Sequence, residues 1–282
     1  MFGIESLAAI RENKPLVHCI TNYVTVNDCA NALLSIGASP VMADDIREAA
    51  EIVSIANALV INIGTLNERT IASMFAAGKK ANDLGIPVIL DPVGAGASRL
   101  RTETARALVN EIRFAIIRGN LSEIVTLAGG EGKTRGVDTA DAGVSCEVPS
   151  FSATAIARTG KLAGNLAKAA GAVVAVTGAI DVVSDGSSCV AIGNGHVSMS
   201  RITGCGCMLS ALLGAFCAGG GSRGHFESTV AGVCAMGIAG EYAASVCPDG
   251  RTGSFRVALI DGLSLIDDAR MKEKMKIENI AL

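Results

Sequence analysis

Pro87-Val88-Ile89-Leu90-Asp91-Pro92-Val93-Gly94-Ala95-Gly96-Ala97-Ser98 decides how the fold is read. Residues 87–90 are apolar without alternation, as in a strand covered on both faces. Asp91 and Pro92 end the run, and a glycine-rich loop follows. Residues 102–112 then have helical spacing, with Thr102 as the expected cap. Upstream, residues 68–84 form a long helical pattern closed by Gly85. A strand entered from one helix and left through a loop into the next is the repeating unit of a parallel sheet.

The unit recurs in both directions. Towards the N-terminus, strands are expected at 16–20, 38–42 and 58–63. Helices are expected at 26–36, with Thr25 or Asn27 as cap and Gly37 as stop, and at 46–56. Towards the C-terminus, a strand at 114–117 runs into Arg118-Gly119-Asn120, followed by a short helix at 121–127. Residues 128–149 are glycine-rich and irregular, the best candidate for a variable segment. A helix at 152–170 and a strand at 172–177 follow, then a hairpin of 181–184 with 189–192 across Asp185-Gly186. Residues 229–245 and 254–267 read as helices, and 271–282 as a charged, peripheral tail. The whole predicts an α/β fold of three layers, with a mostly parallel central sheet between helices. No linker is long enough to divide it, so residues 1–282 read as one domain.

In such sheets ligands bind outside the carboxyl ends of the strands. That rule gathers Asn22, Asp44, Asp45, Gly64, Thr65, Asp91, Asn120, Glu123, Thr177 and Gly178 at one candidate cleft. Thr203-Gly204-Cys205-Gly206-Cys207 joins them, leading straight into the apolar run 208–218. A helix start there leaves backbone N–H groups for an anion, and glycines let the backbone approach it. Cys207 would lie in the first turn, where the local field favours thiolate. The alternative is a tight turn before a buried helix that contains cysteine.

Asp91 follows its strand directly, so its position exposes a carboxylate to the cleft. Asp91 with Glu123 could hold a hydrated Mg²⁺. Alternatively, Asn120 caps a helix and Glu123 is a solvated turn residue. Arg118 could clamp a phosphate or form a surface salt bridge. Thr177 could contact a nucleotide phosphate or simply close a strand. Asp44 and Asp45 are adjacent and point apart. His18 and His196 read as structural, and no Ser–His–Asp set emerges.

Composition narrows the classes. Half of the 282 residues are hydrophobic and 18% are charged, enough apolar side chains for a large core. With 33 glycines and 3% aromatics, that core rests on Val, Ile, Leu and Ala. Net charge is -3 without a long basic run, which argues against nucleic-acid binding. Nine cysteines are scattered without framework spacing, and residues 1–14 lack the apolar stretch of a signal peptide. Reduced thiols and a cytoplasmic location are expected. Cys205-x-Cys207 has no second pair nearby for zinc. Residues 208–218 are too short to span a membrane, and 229–247 are interrupted by Glu241. A Walker motif is absent, and Gly94-x-Gly96 lacks the third glycine of a dinucleotide fingerprint.

Several motifs occur together, in order: His18-Cys19-Ile20-Thr21-Asn22-Tyr23-Val24-Thr25, Ser39-Pro40-Val41-Met42-Ala43, Asn62-Ile63-Gly64-Thr65-Leu66 and Leu90-Asp91-Pro92-Val93-Gly94-Ala95. Arg118-Gly119-Asn120-Leu121-Ser122-Glu123, Val176-Thr177-Gly178 and Thr203-Gly204-Cys205-Gly206-Cys207 complete them. In this set the chain resembles, over nearly its whole length, the hydroxyethylthiazole kinases of the ribokinase-like superfamily. The resemblance implies ATP- and Mg²⁺-dependent phosphorylation of 4-methyl-5-(2-hydroxyethyl)thiazole for thiamine salvage, by a homotrimer with active sites near subunit boundaries. It implies that Met42, Gly204 and Asn22 meet the thiazole. It implies that Arg118 and Thr177 meet ATP phosphates with Asn120 beside them, and that Asp91 and Glu123 serve the magnesium. Cys207 then stands where most of the wider superfamily has an aspartate, the presumed base; the thiazole kinases resembled here have cysteine. Two alternatives stand beside this: a related kinase for a pyrimidine or vitamin B6 alcohol, and a nucleotide- or thiazole-binding protein without turnover. The cysteine at 207 argues against the first. The joint presence of Asp91, Glu123, Arg118 and Cys207 argues against the second.

Overall fold

Alternating strands and helices dominate the computed structural model, which describes residues 6–130, 153–219 and 224–282. Most of the glycine-rich segment 128–149 lies outside the described residues. The chain enters through α1 (Ser6–Asn13) and continues through β1 (Leu16–Ile20), α2 (Val26–Ser35), β2 (Ser39–Val41), α3 (Ala49–Ile55) and β3 (Ala58–Asn62). Next come α4 (Glu68–Leu84), β4 (Val88–Asp91), α5 (Arg99–Glu111), β5 (Ile116–Asn120), α6 (Leu121–Leu127), α7 (Ala153–Ala170) and β6 (Val173–Thr177). The hairpin β7 (Asp181–Ser184) and β8 (Cys189–Ile192) precedes a 3-10 turn at Val197–Arg201. The chain ends in α8 (Cys205–Gly219), α9 (His225–Val246), α10 (Thr252–Leu265), α11 (Asp268–Lys274) and β9 (Ile277–Asn279).

The strands form one sheet in the order β2-β1-β3-β4-β5-β6-β7-β8-β9. Strands β1 to β6 run parallel, and β7 to β9 add an antiparallel edge. Side chains alternate across the sheet. Val17, Cys19, Ala58, Val60, Ile89 and Ile116 face one core, with α1, α2, α8, α9 and α10. Ile20, Leu59, Ile61, Val88, Leu90 and Ile117 face the other, with α3 to α7. This is the expected three-layer fold, and it explains why the strands carry no polar alternation. Each fully buried Leu or Ile contributes about 1.5–3 kcal/mol to it.

Two helices lie deepest. Along α8 every residue from Met208 to Phe216 is buried, and a Cβ on Gly214 would meet Val17 and Val60 at 2.9 and 3.0 Å. The backbone of α8 therefore rests directly on β1 and β3. Helix α9 is long and apolar enough to cross a membrane, but it is mostly buried against α8 and α10.

Several boundaries differ from the sequence reading. Helix α5 begins three residues earlier than expected, because Ser98 is the cap and accepts from the Arg101 N–H at 3.3 Å. Thr25 occupies the cap position of α2, but its hydroxyl donates to Asn22 instead of capping. Strand β5 extends through Asn120, paired with β6 up to Thr177. The last expected helix ends at Leu265, and Asp267 accepts from the Arg270 N–H at 2.8 Å and starts α11, a further short helix the sequence reading did not anticipate. The tail is not peripheral: β9 pairs with β8 and closes the sheet. Helix α1, unanticipated, buries Leu7 and Ile10 and presents the Leu7 and Ala8 N–H groups to the Asp268 carboxylate.

Candidate active site

The first crossover runs from β1 outward to β2, whereas later ones run from β3 towards β6. The switch between β1 and β3 opens a crevice at their carboxyl ends. The parallel register brings polar strand ends together there: Asn62 lies opposite Asp91, and Asn120 opposite Thr177.

Asp91 is the hub. It is fully buried, so the expectation of a carboxylate exposed to the cleft was wrong. A strand end placed under α8 is covered by that helix. Its Oδ2 accepts from Asn62 Nδ2 and Ser210 Oγ, both at 2.8 Å, and Arg118 Nη1 reaches Oδ1 at 3.5 Å. Arg118 is accordingly no surface ion pair: the two side chains are 12% and 0% exposed. Its Nη2 also donates to Thr177 Oγ1 at 2.5 Å. Burial pushes the Asp91 carboxyl up, and the Arg118 charge with the Ser210 and Asn62 bonds holds it down.

Asn120 and Glu123 form a reciprocal cap. Asn120 Oδ1 accepts from the Glu123 N–H at 3.0 Å, and Glu123 Oε2 accepts from the Asn120 N–H at 2.8 Å. Glu123 is thus a buried carboxylate and not a solvated turn residue. Its Oε1 accepts from the Gly94 N–H at 2.8 Å, which fastens the loop after β4.

Burial, then the neighbouring Asp91 charge, pushes Glu123 up to about 7 from 4.5. Two carboxyls both pushed up by burial, one of them also by the other's charge, fit a divalent cation, whose charge would relieve both. Among the described residues no cluster of three or more metal-ligating side chains exists. Two carboxylates suit an ion that keeps water and substrate phosphates as its other ligands. Between pH 4.5 and 7 the folded state keeps a proton on Glu123 that the unfolded state has lost. This group's stabilisation is therefore present below pH 4.5 and falls, by roughly 3 kcal/mol, as pH rises through 7. Thermal melts without metal should show that decline, Mg²⁺ should raise the Tm more at pH 8 than at pH 5, and Glu123→Gln should flatten both effects.

Gly204, at φ +91°, turns the chain into α8, and the Met208 N–H closes the first turn on its carbonyl at 2.8 Å. Cys207 lies in that turn, as expected, and is half-buried. The thiolate expectation fails. Burial pushes the thiol up and the Asp91 charge adds to this, outweighing hydrogen bonds from Thr25, Asn22 and Asn62. The Asn22 Nδ2 donates to its sulfur at 3.2 Å.

Arg118 packs against Gly206, where a Cβ would fall onto the guanidinium, with Nη2 and Cζ at 2.6 and 2.8 Å. A cation placed on the positive end of a helix is unfavourable alone. Together they form a strong anion site.

Met42 follows β2 and packs on the edge of the core. Beside it, the buried His18 donates from Nε2 to the Ala43 carbonyl at 2.7 Å, and burial lowers its pKa. His196 caps the 3-10 turn by accepting from the Ser198 N–H. Both histidines are structural in this sense. Asp44 and Asp45 do not join the hub; they pair with Arg69 and Arg47.

Four residues escaped the sequence reading. Asn62 and Ser210 hold Asp91. Arg101 bridges the Ile63, Gly64 and Val93 carbonyls. Asp181 accepts from the Gly178 N–H at 2.8 Å, and burial pushes it up to about 7. Ser210 was open to detection, since it lies at i+3 from Cys207 on one helix face.

The profile of the Hydroxyethylthiazole kinase family matches residues 7–268. A hydroxyethylthiazole kinase of Ruminiclostridium cellulolyticum is 52% identical over 274 residues, 97% of this chain and 96% of its own. The structure of a hydroxyethylthiazole kinase protein from Pyrococcus horikoshii superposes with a TM-score of 0.86 at 38% identity, covering 99% and 98% of the two chains. A Staphylococcus aureus pyridoxal kinase in complex with ADP shares the fold alone, with a TM-score of 0.59 at 12% identity over 81% of this chain and 88% of its own. The fold is ribokinase-like, and the chain belongs to the hydroxyethylthiazole kinase family.

Proposed function

We propose that this chain, as one catalytic domain, transfers the γ-phosphoryl group of ATP to the primary alcohol of 4-methyl-5-(2-hydroxyethyl)thiazole. The product is the thiazole phosphate used in thiamine salvage. The observation that carries the mechanism is the Arg118 guanidinium seated on the start of α8 between Asp91 and Thr177. That arrangement calls for an anion, and the transferring phosphoryl group supplies one.

In this reading Arg118, Thr177 and Asn120 border the ATP phosphates. Asp91 and Glu123 would hold Mg²⁺, which would supply positive charge to offset that of the phosphates. Met42, Gly204 and Asn22 place the thiazole with its alcohol towards Cys207. The amides from Gly204 to Cys207 meet the phosphoryl group as it moves. The transition state is loose, so positioning and charge outweigh early deprotonation. A thiol raised by burial suits this: as S–H it orients the alcohol through its sulfur lone pair, and only the minor thiolate form could take the alcohol proton, with Asn22 donating to the sulfur.

ADP release tests the reading directly. It should require hydroxyethylthiazole together with Mg-ATP and stay low with pyridoxal or pyrimidine alcohols. Tight thiazole binding without ADP release would favour a binding protein instead. Cys207→Ala should lower kcat by about 10²-fold, the lower range for a general base, with little change in the KM for ATP. Full turnover in that variant at neutral pH would remove the proton-accepting role.

We further propose a homotrimer in the cytoplasm. Tyr23 and Val24, 78% and 56% exposed, leave apolar surface beside Asn22, as a subunit boundary next to the site requires. No disulfide joins the described cysteines, in keeping with a reducing compartment. Light scattering on the eluting protein should give three times the 28.6 kDa chain mass.

A further inference from the structure

We infer that Arg101 is a positioning residue, whose one guanidinium turns the Ile63–Gly64 and Val93–Gly94 peptides so that both N–H groups face the carboxylate centre. This deepens the kinase reading and rests on it for the effect on turnover. The orientation of the two peptides is a property of the folded chain.

In a trans peptide the C=O and the N–H point in opposite directions, so a donor that holds the carbonyl also aims the amide. Arg101 Nη1 donates to the Val93 carbonyl at 2.7 Å, and the Gly94 N–H on the far side of that peptide donates to Glu123 Oε1 at 2.8 Å. The same Nη1 reaches the Ile63 carbonyl at 3.2 Å, and the Gly64 N–H opposite it donates to Asn62 Oδ1 at 2.9 Å. Asn62 in turn donates from Nδ2 to Asp91 Oδ2. Arg101 Nη2 donates to the Gly64 carbonyl at 2.6 Å and ties the loop after β3 to the loop after β4. One side chain thus stands behind both carboxylates that would hold Mg²⁺.

The Val93–Gly94 peptide has a second setting. Residues 92–95 form a turn closed by the Ala95 N–H on the Pro92 carbonyl at 2.9 Å, with Gly94 third at φ +75°. This is the type II form, which takes glycine at that place because φ is positive. Type I turns the central peptide over. The Val93 carbonyl would then face the Glu123 carboxylate, and the Gly94 N–H would face the guanidinium. Arg101 at one end and Glu123 at the other select type II. Ile63, Gly64, Val93 and Gly94 are all buried, so carbonyls left without the guanidinium would lose a charged donor with little water to replace it.

Arg101 also lies in the first turn of α5, where the helix field disfavours a cation. Three convergent carbonyls offset that field. Its own N–H is held by Ser98 Oγ, and the Thr102 hydroxyl accepts from the Gly96 N–H, so the side chain starts from a fixed backbone.

The test reads amide hydrogen exchange at single residues, by mass spectrometry with electron-transfer fragmentation, on the protein without ligands. Arg101→Met keeps the apolar stem and removes the donors. Exchange at Gly94 and Gly64 should quicken by about tenfold, while Leu59, bonded to the Pro87 carbonyl near the start of β3, keeps its wild-type rate. Arg101→Lys keeps the charge without the fork and should quicken both by about threefold. It carries the same comparison should Arg101→Met fail to fold. In turnover, the Mg²⁺ concentration for half-maximal rate should rise by about tenfold in Arg101→Met. The KM for thiazole should stay near wild type, since the Val24 and Thr25 N–H groups also hold Asn22. Faster exchange confined to the two glycines supports the inference even if no thiazole-dependent ADP release is found, so the two readings fail separately. Wild-type exchange at either glycine overturns it. Equal quickening at Leu59, or an Mg²⁺ constant that stays put or moves only together with the KM for thiazole, overturns it as well.

Discussion

Asp91→Asn is expected to lower kcat by about 10³-fold, the scale of losing a preorganised charge contact at a phosphoryl-transfer site. The side chain is fully buried, so the substitution changes charge and hydrogen bonding and leaves shape alone. Asn62 Nδ2 and Ser210 Oγ both donate to Oδ2. An amide oxygen can take that place, which puts the new NH₂ against the Arg118 guanidinium, donor against donor. Arg118 also loses its nearest counter-charge. Breaking a buried pair costs about 3–5 kcal/mol, an upper bound here because Glu123 remains to offset Arg118. A lower Tm together with a retained native circular dichroism spectrum should result. Removing the Asp91 charge also takes away the second cause of the high Glu123 pKa, so the melt should depend less on pH between 5 and 7. Turnover, Tm and this pH dependence together distinguish a lost metal ligand from a collapsed site. Retention of more than a tenth of wild-type kcat would remove Asp91 from the catalytic set.

The layered fold was legible because its signal is local and repeated. Apolar strands without alternation, spaced by amphipathic helices, leave few architectures open. The strand ends were legible too, since one topological rule names the residues that follow parallel strands. What escaped were the tertiary consequences. Asp91 reads as solvent-facing along the chain, and only the descent of α8 onto β3 and β4 shows that it is sealed. Cys207 was placed in the first turn, where the local field was expected to favour thiolate, but desolvation, which the chain does not display, pushes the thiol up. Asn120 and Glu123 read as either a cap or a ligand pair. The cap forms, and the cap itself holds the carboxylate where a cation would be received. Strand β9 and helix α1 were missed for another reason. Short charged segments carry little periodicity, and both are fixed by partners far away in sequence, β8 and Asp268.

Gly206→Ala is expected to raise the KM for ATP by about tenfold and to lower kcat by about 10²-fold, the scale of displacing one charged phosphate contact. A single methyl has this reach because the guanidinium is the one neighbour that can give way. On one side lies Arg118, bonded to Thr177 and facing Asp91. On the other is the backbone of α8, which cannot retreat, since Gly214 already rests on Val17 and Val60 two turns further on. The guanidinium must therefore swing away from the helix start, and the anion site loses its cation while its amides stay. Stability should fall less than in Asp91→Asn, because the Asp91 charge and its Asn62 and Ser210 bonds remain. Alanine, a better helix former than glycine by about 1 kcal/mol in a helix interior and by less in a first turn, offsets part of the weakened Arg118 pairing. A protein that melts above Asp91→Asn yet binds ATP poorly would thus mark the contact as functional. Arg118→Lys sharpens the comparison, because lysine keeps the charge but cannot reach Asp91 and Thr177 together through one planar fork. Its KM for ATP should rise as in Gly206→Ala. If Gly206→Ala instead keeps the wild-type KM, the phosphates do not lie between Arg118 and the start of α8, and the site must be sought elsewhere along the strand ends.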